Sequence, residues 1–292
     1  MSETIKYLPE GEMGDKIKDI VEMLKTTGDG DMTITLAGAH AKGLDDEYSD
    51  IDIYMYYADP KPYETQKKIV EGFADNGKAT VTHDHVSAPM GGYYIFDYKN
   101  TLVEVTTRLY ENALKRINES VNGQFEILPE SWTINGYYTF TYASEISYVK
   151  PMWDPPNFIE NSKSIIYPYP QKFKKKLIEV FGERMKFNPC YNHEYTNAIR
   201  RRDLFMTNYF ADYTLLNMIQ VIYALNETYF TGDKQVARKI AKLPYYPVKM
   251  LENLEFLLGA HDDSEKLERQ RGILREIVDE LSKKCDELIW DN

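Results

Sequence analysis

The stretch that most constrains the fold is Thr33 to Tyr57, TITLAGAHAKGLDDEYSDIDIYMYY. A β-prone run ends at a loop bracketed by Gly38 and Gly43, and a second β-prone run begins at the aspartates Asp50 and Asp52. Side chains two residues apart on a strand point to the same face of a sheet. We therefore expect the two carboxylates to project together, where they repel each other unless a cation neutralises them.

The loop between the two runs adds groups that suit a nucleotide phosphate. Glycine allows backbone N–H groups to approach a phosphate closely, and a helix that begins at this loop would add its positive end. Lys42 supplies a compact positive charge for an anion. Mg²⁺ takes carboxylate oxygens and commonly completes its shell with substrate phosphates. A bare pair of aspartates is more often a solvent-facing pair, but the pair together with this loop predicts a magnesium–nucleotide site.

The first part of the chain alternates helical and β-prone patterns. The spacing of apolar residues in GDKIKDIVEMLKTT predicts a first helix. A second helix is predicted from Pro62 to Gly77, because proline favours the first turn of a helix and glycine its end. Three β-prone runs follow, KATVTH, GGYYIFDY and TLVEVTTRL, and Lys99-Asn100 is predicted to form a tight turn between the last two. This order predicts an α+β domain built on a mixed α/β sheet.

The character of the chain changes beyond residue 125. The proline-rich segments PMWDPPNF and YPYPQKF are typical of connectors. From about residue 170 onward the apolar periodicity is helical. We therefore predict two domains, an α+β domain at residues 1–125 and an all-helical C-terminal domain at residues 126–292.

Charge and hydropathy exclude several classes of function. The 35 basic and 46 acidic residues give a formal net charge of −11, which argues against binding to a nucleic-acid backbone. No apolar run reaches the roughly 20 residues that cross a bilayer, and the N-terminus lacks the layout of a signal peptide. We expect a cytoplasmic protein with no membrane partner. The 24 tyrosines are amphipathic rings that either line a cleft or fill an interior.

Other candidate ligand residues are isolated in the sequence. Cys190 and Cys285 stand far apart and match no metal or disulfide pattern. His83 and His85 have the spacing of neighbours on one face of a strand, but no partner cluster accompanies them. A surface turn is the favoured interpretation for the histidines.

The order GAHAKG-LDDEYSDIDIY resembles the nucleotidyltransferase superfamily typified by DNA polymerase β, and in particular its branch that modifies aminoglycoside and lincosamide antibiotics. The family signature is Gly-Ser, several residues, Ser-Asp, an apolar residue, then Asp or Glu on the next strand. Here the signature falls on Gly38, Ala39, Ser49, Asp50 and Asp52. The family's third acid lies on a later neighbouring strand, and TLVEVTT places Glu104 in that setting. The resemblance covers roughly residues 30–110.

One position departs from the family signature. Ala39 replaces the serine whose hydroxyl contacts nucleotide phosphate in the family. A hydrogen bond to a charged group is worth about 1.5–3 kcal/mol, so we expect weaker nucleotide binding without loss of metal-assisted chemistry. Lys42 keeps a charge that many relatives carry as arginine. Lys234 lies in a segment similar to the helical domain of such relatives. It is expected to reach the triphosphate, and the equal alternative is that it is a solvated lysine at the start of a helix.

The resemblance implies a Mg²⁺-dependent nucleotidyltransferase. Asp50, Asp52 and Glu104 would hold one or two Mg²⁺ ions, and Glu104 is also a candidate base for the acceptor hydroxyl. ATP is implied as the donor by the resemblance alone. The expected acceptor is a small hydroxyl-bearing molecule, either an aminoglycoside, which suits the net charge, or a lincosamide. Two alternatives are a nucleotidyltransferase acting on a protein or tRNA, of toxin–antitoxin type, and a non-catalytic nucleotide-binding module, which Ala39 would favour.

Overall fold

A computed structural model describes residues 7–82, 90–130, 133 and 136–290. The chain forms two compact units. The first comprises the chain to Val121, Phe125–Leu128 and Tyr137–Pro168, and the second comprises Asn122–Gln124, Pro129–Gly136 and the chain from Tyr169. Within the described part of the chain, none of the helices combines the length and the apolar character that spanning a bilayer requires.

The first unit is built on a six-stranded mixed sheet and a separate two-stranded sheet. The strands of this unit are β1 (Gly28–Leu36), β2 (Ile51–Pro60), β3 (Ala79–Thr82), β4 (Gly92–Tyr98), β5 (Thr101–Leu109), β6 (Ile127–Leu128), β7 (Tyr137–Tyr138) and β8 (Lys150–Trp153). The order in the sheet is β3-β4-β5-β2-β1-β8, and β6 and β7 pair separately. β2 and β5 run parallel, and the other neighbouring strands run antiparallel.

Helices flank this sheet. They are α1 (Glu12–Leu24), α2 (Gly38–Lys42), α3 (Tyr63–Phe73), α4 (Tyr110–Val121), α5 (Thr141–Tyr148) and α6 (Phe158–Ile166), with a 3₁₀ turn at Asp75–Gly77. The apolar stripe of α1 packs with α3 onto one face of the sheet, where Ile17, Ile20 and Leu24 are fully buried. The strands contribute every second side chain to this core, so their alternate side chains project from the opposite face.

Local sequence signals account for most of these elements. The predicted first helix, the two strands around the glycine loop and the three later strands are all confirmed. The turn at Lys99 and Asn100 is also confirmed, with φ values of 49° and 59°. Two positive φ values are characteristic of a type I′ turn, whose twist matches that of the strands it joins. The predicted α+β class with a helical C-terminal region is therefore confirmed.

The segment Tyr137–Pro168 lies in the first unit, whereas the predicted boundary at residues 125 and 126 assigned it to the C-terminal domain. β8 pairs with β1 at the edge of the sheet, with Pro151 opposite Thr35. Proline is tolerated on an edge strand because one side of that strand needs no hydrogen-bond donor. Helices α5 and α6 pack against α4. The assignment of catalytic and substrate-binding roles to two domains stays a prediction.

The second unit consists mainly of helices. They are α7 (Gln171–Lys186), a π-helical turn (Phe187–Tyr191), α8 (His193–Arg201), α9 (Leu204–Leu225), α10 (Val236–Ile240), α11 (Val248–Glu252), α12 (Leu254–Leu258) and α13 (Ser264–Trp290). α9 is apolar on most of its circumference and packs against both α7 and α13. Asp203 caps its start by accepting a hydrogen bond from the Met206 N–H group at 3.1 Å. A helix buried on most sides is the expected centre of such a unit.

Candidate active site

Two neighbouring strands bring the three predicted acids together. In the parallel register of β2 and β5, Asp52 lies directly opposite Glu104. Asp50 stands just before β2, and one carboxylate oxygen from each of the three residues lies within 4.8 Å of the others. None of the three residues is buried. Among the described residues, no other group of three or more His, Cys, Asp or Glu side chains comes this close together.

The apolar neighbours of the two facing acids fix the direction of the carboxylates. The residues on either side of Asp52 and Glu104 are at most 1% exposed and belong to the core, namely Ile51, Ile53, Val103 and Val105. Successive side chains of a strand point to opposite faces. Burying these four side chains therefore directs both carboxylates to the other face of the sheet.

Gly38 lies beside the acids at a position where only glycine fits; it is the first residue of the short helix α2, which forms most of the predicted glycine loop between Gly38 and Gly43. Its φ is +56°, in the left-handed region that glycine adopts readily. A Cβ added at this position would lie 1.6 Å from the Oδ2 atom of Asp52. The loop is also tied to the same strand, since the Ala37 N–H group donates to the Asp52 carbonyl oxygen at 2.9 Å. The backbone of the glycine loop therefore lies directly against the acid group.

Ala39 and Ser49 lie near the two ends of the segment that joins the loop to β2. Ala39 is in α2, and its side chain is a methyl group that cannot donate a hydrogen bond. The Ser49 hydroxyl accepts a hydrogen bond from the Asp46 N–H group at 2.9 Å and donates one to the Asp46 carboxylate at 3.0 Å. This turn lies directly before Asp50, the residue that precedes β2. Contact between nucleotide and Gly38, Ala39 or Ser49 stays a prediction.

The two lysines predicted to bind phosphate belong to different units. Lys42 is the last residue of α2, and its ammonium group lies 4.3 Å from the centroid of the Tyr148 ring. Lys234 belongs to the second unit and is exposed in the turn before α10. Contact of Lys234 with a triphosphate stays a prediction. His83 and His85 lie outside the described residues.

Sequence reasoning missed a buried ion pair on the same face of the sheet. Arg108 follows Glu104 by four positions on β5 and is 1% exposed. Its two terminal nitrogens contact the two carboxylate oxygens of Glu145 on α5, one of them at 3.1 Å. Burial by itself would lower the pKa of Arg108, but the Glu145 carboxylate opposes this effect and the pKa is raised. The alternation in TLVEVTTRL, which sets Arg108 on the face of Glu104, is the signal that could have found this residue. Nothing local identifies its partner on α5.

Tyrosine rings surround this ion pair and extend toward the acids. The Arg108 guanidinium carbon lies 4.2 Å from the ring centroid of Tyr142 and 5.0 Å from that of Tyr54. The hydroxyl groups of Tyr54 and Tyr148 are 3.3 Å apart. Burial first, and then the Glu145 carboxylate, raise the pKa values of Tyr54 and Tyr148 well above 10. Both hydroxyl groups therefore stay protonated, and both rings stay neutral, at neutral pH.

The acid group is compatible with Mg²⁺. Mg–O distances are about 2.0–2.1 Å, so two oxygens on one ion lie at most about 4.2 Å apart. A small side-chain rotation closes the difference from the observed limit of 4.8 Å. A ligand set made only of carboxylate oxygens favours hard cations such as Mg²⁺.

No protein-family model matches the chain, and no curated protein matches it. Among solved structures, the chain is similar to a nucleotidyltransferase-like protein from Exiguobacterium sibiricum 255-15. The sequence identity is 8% and the TM-score is 0.45, over 95% of this chain and 80% of that chain. At this level of similarity, the chemistry has to be inferred from the residues of the site.

Proposed function

We propose that this protein is a Mg²⁺-dependent nucleotidyltransferase that moves a nucleoside monophosphate, AMP from ATP, to a hydroxyl group of a small molecule. The observation that carries the proposal is the group Asp50, Asp52 and Glu104, with oxygens within 4.8 Å of one another. Three carboxylates that are held together without burial repel one another. A bound divalent cation would offset this repulsion, and it would also bind the phosphate groups of a nucleotide.

The chain's own residues have distinct parts in this reaction. Asp50, Asp52 and Glu104 would hold Mg²⁺, which when bound neutralises charge on the triphosphate and on the departing pyrophosphate. Glu104, on the neighbouring strand, is the candidate base that accepts the proton of the acceptor hydroxyl. Lys42 and the backbone of the glycine loop are the proposed phosphate contacts. Lys234 is proposed as a further contact to the triphosphate.

The proposed acceptor is a drug-like molecule, such as an aminoglycoside or lincosamide antibiotic. The net charge of −11 favours a cationic acceptor over a nucleic acid. Tyr54 projects from the same face of β2 as Asp52. Its hydroxyl group is taken by Tyr148, but the residue is not fully buried, and the exposed part of the ring offers an apolar surface that suits contact with a sugar or an amine.

The direct test is transfer of label from α-labelled ATP in the presence of Mg²⁺. Separate reactions would contain aminoglycosides, lincosamides, tRNA or cell lysate, each with the wild type and with Glu104→Gln. Asp59→Asn is the matched control, because Asp59 is an exposed acid on the same strand, about 23 Å from Asp52 at roughly 3.3 Å per residue. Label in a small molecule that disappears in Glu104→Gln and persists in Asp59→Asn would support the proposal.

The other outcomes decide among the alternatives. Label only in tRNA or in a protein band would favour a macromolecular acceptor. No transfer, despite measurable ATP binding, would favour a non-catalytic module. Isothermal titration with Mg²⁺ and ATP tests the metal site separately: the double variant Asp50→Asn with Asp52→Asn should bind nucleotide more weakly than the wild type. Equal affinity in the presence of metal would contradict the metal assignment.

A further inference from the structure

Lys42 is held by an aromatic ring that no sequence motif connects to it. Its ammonium group lies 4.3 Å from the centroid of the Tyr148 ring, within the distance at which a cation is attracted to an aromatic face. Tyr148 is the last residue of α5, far along the chain from the glycine loop. The Asp52 carboxylate is close enough to contribute to the raised pKa of Tyr148, after burial and Glu145. The lysine and the ring therefore lie beside the acid group.

Other side chains hold Tyr148 in place. Its hydroxyl is 3.3 Å from the hydroxyl of Tyr54, which follows Asp52 by two positions on the same face of β2. The buried ion pair between Arg108 and Glu145 anchors α5 one turn before Tyr148. The guanidinium carbon of Arg108 also lies 5.0 Å from the Tyr54 ring. A continuous set of contacts thus runs from the buried ion pair to the ammonium group of Lys42.

We propose that Tyr148 is a positioning residue, which holds the Lys42 ammonium group where a nucleotide phosphate meets the acid group; this role rests on the proposed function. A lysine has four rotatable side-chain bonds, and a phosphate contact must restrict all of them. An ammonium group over a ring is already restricted. A contact with a ring face does not itself use an N–H donor, and an ammonium group carries three of them. Prior ordering of this kind increases affinity by lowering the entropy lost on binding.

A double-mutant cycle tests this role. The affinity for ATP with Mg²⁺ is measured by isothermal titration for the wild type, Tyr148→Leu, Lys42→Met and the double variant. Tyr148→Leu should weaken binding by about three- to tenfold, the range that a cation–π contact supplies. The same substitution should have no further effect in the Lys42→Met background. Tyr148→Phe keeps the ring and should bind nearly as well as the wild type.

Several results would overturn the positioning role. Unchanged or tighter binding by Tyr148→Leu would do so, as would an equal loss of affinity with and without Lys42. A wild-type protein that binds no nucleotide would remove the proposed function, and the positioning role with it. Binding by the wild type without coupling between the two residues would overturn the positioning role alone.

A second measurement does not depend on nucleotide. The NMR resonances of the Lys42 side-chain methylene groups next to the ammonium should be shifted upfield by the Tyr148 ring. This shift should persist in Tyr148→Phe and disappear in Tyr148→Leu, with circular dichroism as the control for folding. Absence of the shift in the wild type would contradict the contact on which the inference depends.

Discussion

Replacing Gly38 with alanine would place a Cβ 1.6 Å from Oδ2 and 2.4 Å from Cγ of Asp52. Real Cβ contacts almost never fall below 3.0 Å, so the carboxyl group must move by about 1.4 Å or more. That movement changes the position of the Asp52 carboxylate relative to those of Asp50 and Glu104. The left-handed backbone at this position costs an alanine a further ~1–2 kcal/mol. Gly43→Ala is the matched control, because Gly43 has φ +64° but an added Cβ there meets nothing within 4 Å.

The two variants separate backbone strain from damage to the acid group. Urea unfolding should show a loss of about 1–2 kcal/mol for Gly43→Ala, from backbone strain alone, and a larger loss for Gly38→Ala, where the overlap with Asp52 is added. Mn²⁺ binding, followed by electron paramagnetic resonance, should weaken at least about tenfold in Gly38→Ala, because a change in the groups that orient a metal ligand typically costs about 10–100-fold in affinity. It should stay near the wild-type value in Gly43→Ala. If Gly38→Ala bound Mn²⁺ as well as Gly43→Ala does, the position of Asp52 would not matter for the metal, and the reasoning would be refuted.

Buried and paired groups elsewhere give three further tests. Glu145→Gln leaves the Arg108 charge buried without a carboxylate, so urea unfolding should show a loss of about 3–5 kcal/mol, and apolar replacement of both residues should cost less. Hydrogen bonds from Lys174 and Gln171 lower the pKa of Glu227 in the folded protein. The ionised Glu227 side chain therefore stabilises the fold at a pH above its ordinary pKa of 4.5. This stabilisation is lost as the pH falls through the lower pKa of the folded state. The melting temperature of the wild type should therefore fall more steeply than that of Glu227→Gln as the pH is lowered through this window. Burial raises the pKa of Cys285 to about 11, so mass spectrometry should find that iodoacetamide leaves Cys285 unmodified in the folded protein.

Each of these tests has a contradicting result. A wild-type stability for Glu145→Gln would mean that Arg108 does not depend on that carboxylate. If the melting temperatures of the wild type and Glu227→Gln fell equally as the pH was lowered, the hydrogen bonds to Glu227 would add no stability. Alkylation of Cys285 at the rate of an unfolded control peptide would show that the thiol is not protected by burial.

The direction of the acids was predictable because its determinants are local. Strand alternation directed Asp52 and Glu104 away from their apolar neighbours, and the glycine loop marked the start of the segment that carries Asp50. The pairing of β2 with β5 had no local signal, and the choice of Glu104 as the third acid rested on the family signature that the sequence resembles. Periodicity therefore gave the face on which the acids lie and most elements of the fold.

The remaining parts of the site depend on contacts that are distant in sequence. Arg108 and Glu145 are separated by 37 positions, and no motif connects Lys42 to Tyr148. The edge strand β8 was not predicted, because Pro151 belongs to a proline-rich segment that is typical of a connector. Periodicity gives the face on which a side chain lies, but it does not give the element that covers that face.

The buried ion pair explains how the repelling acids are kept in register. β2 and β5 carry Asp52 and Glu104 at one end of a shared face, and four positions further along they carry Tyr56 opposite Arg108. A slip of β5 by one residue would turn Arg108 away from Glu145 and would move Glu104 toward the apolar core. Separating a buried pair costs about 3–5 kcal/mol, whereas repulsion between unit charges about 4 Å apart near a surface is of comparable size at most. The covered end of the two strands therefore offsets the repulsion of about one such pair of carboxylates at the open end.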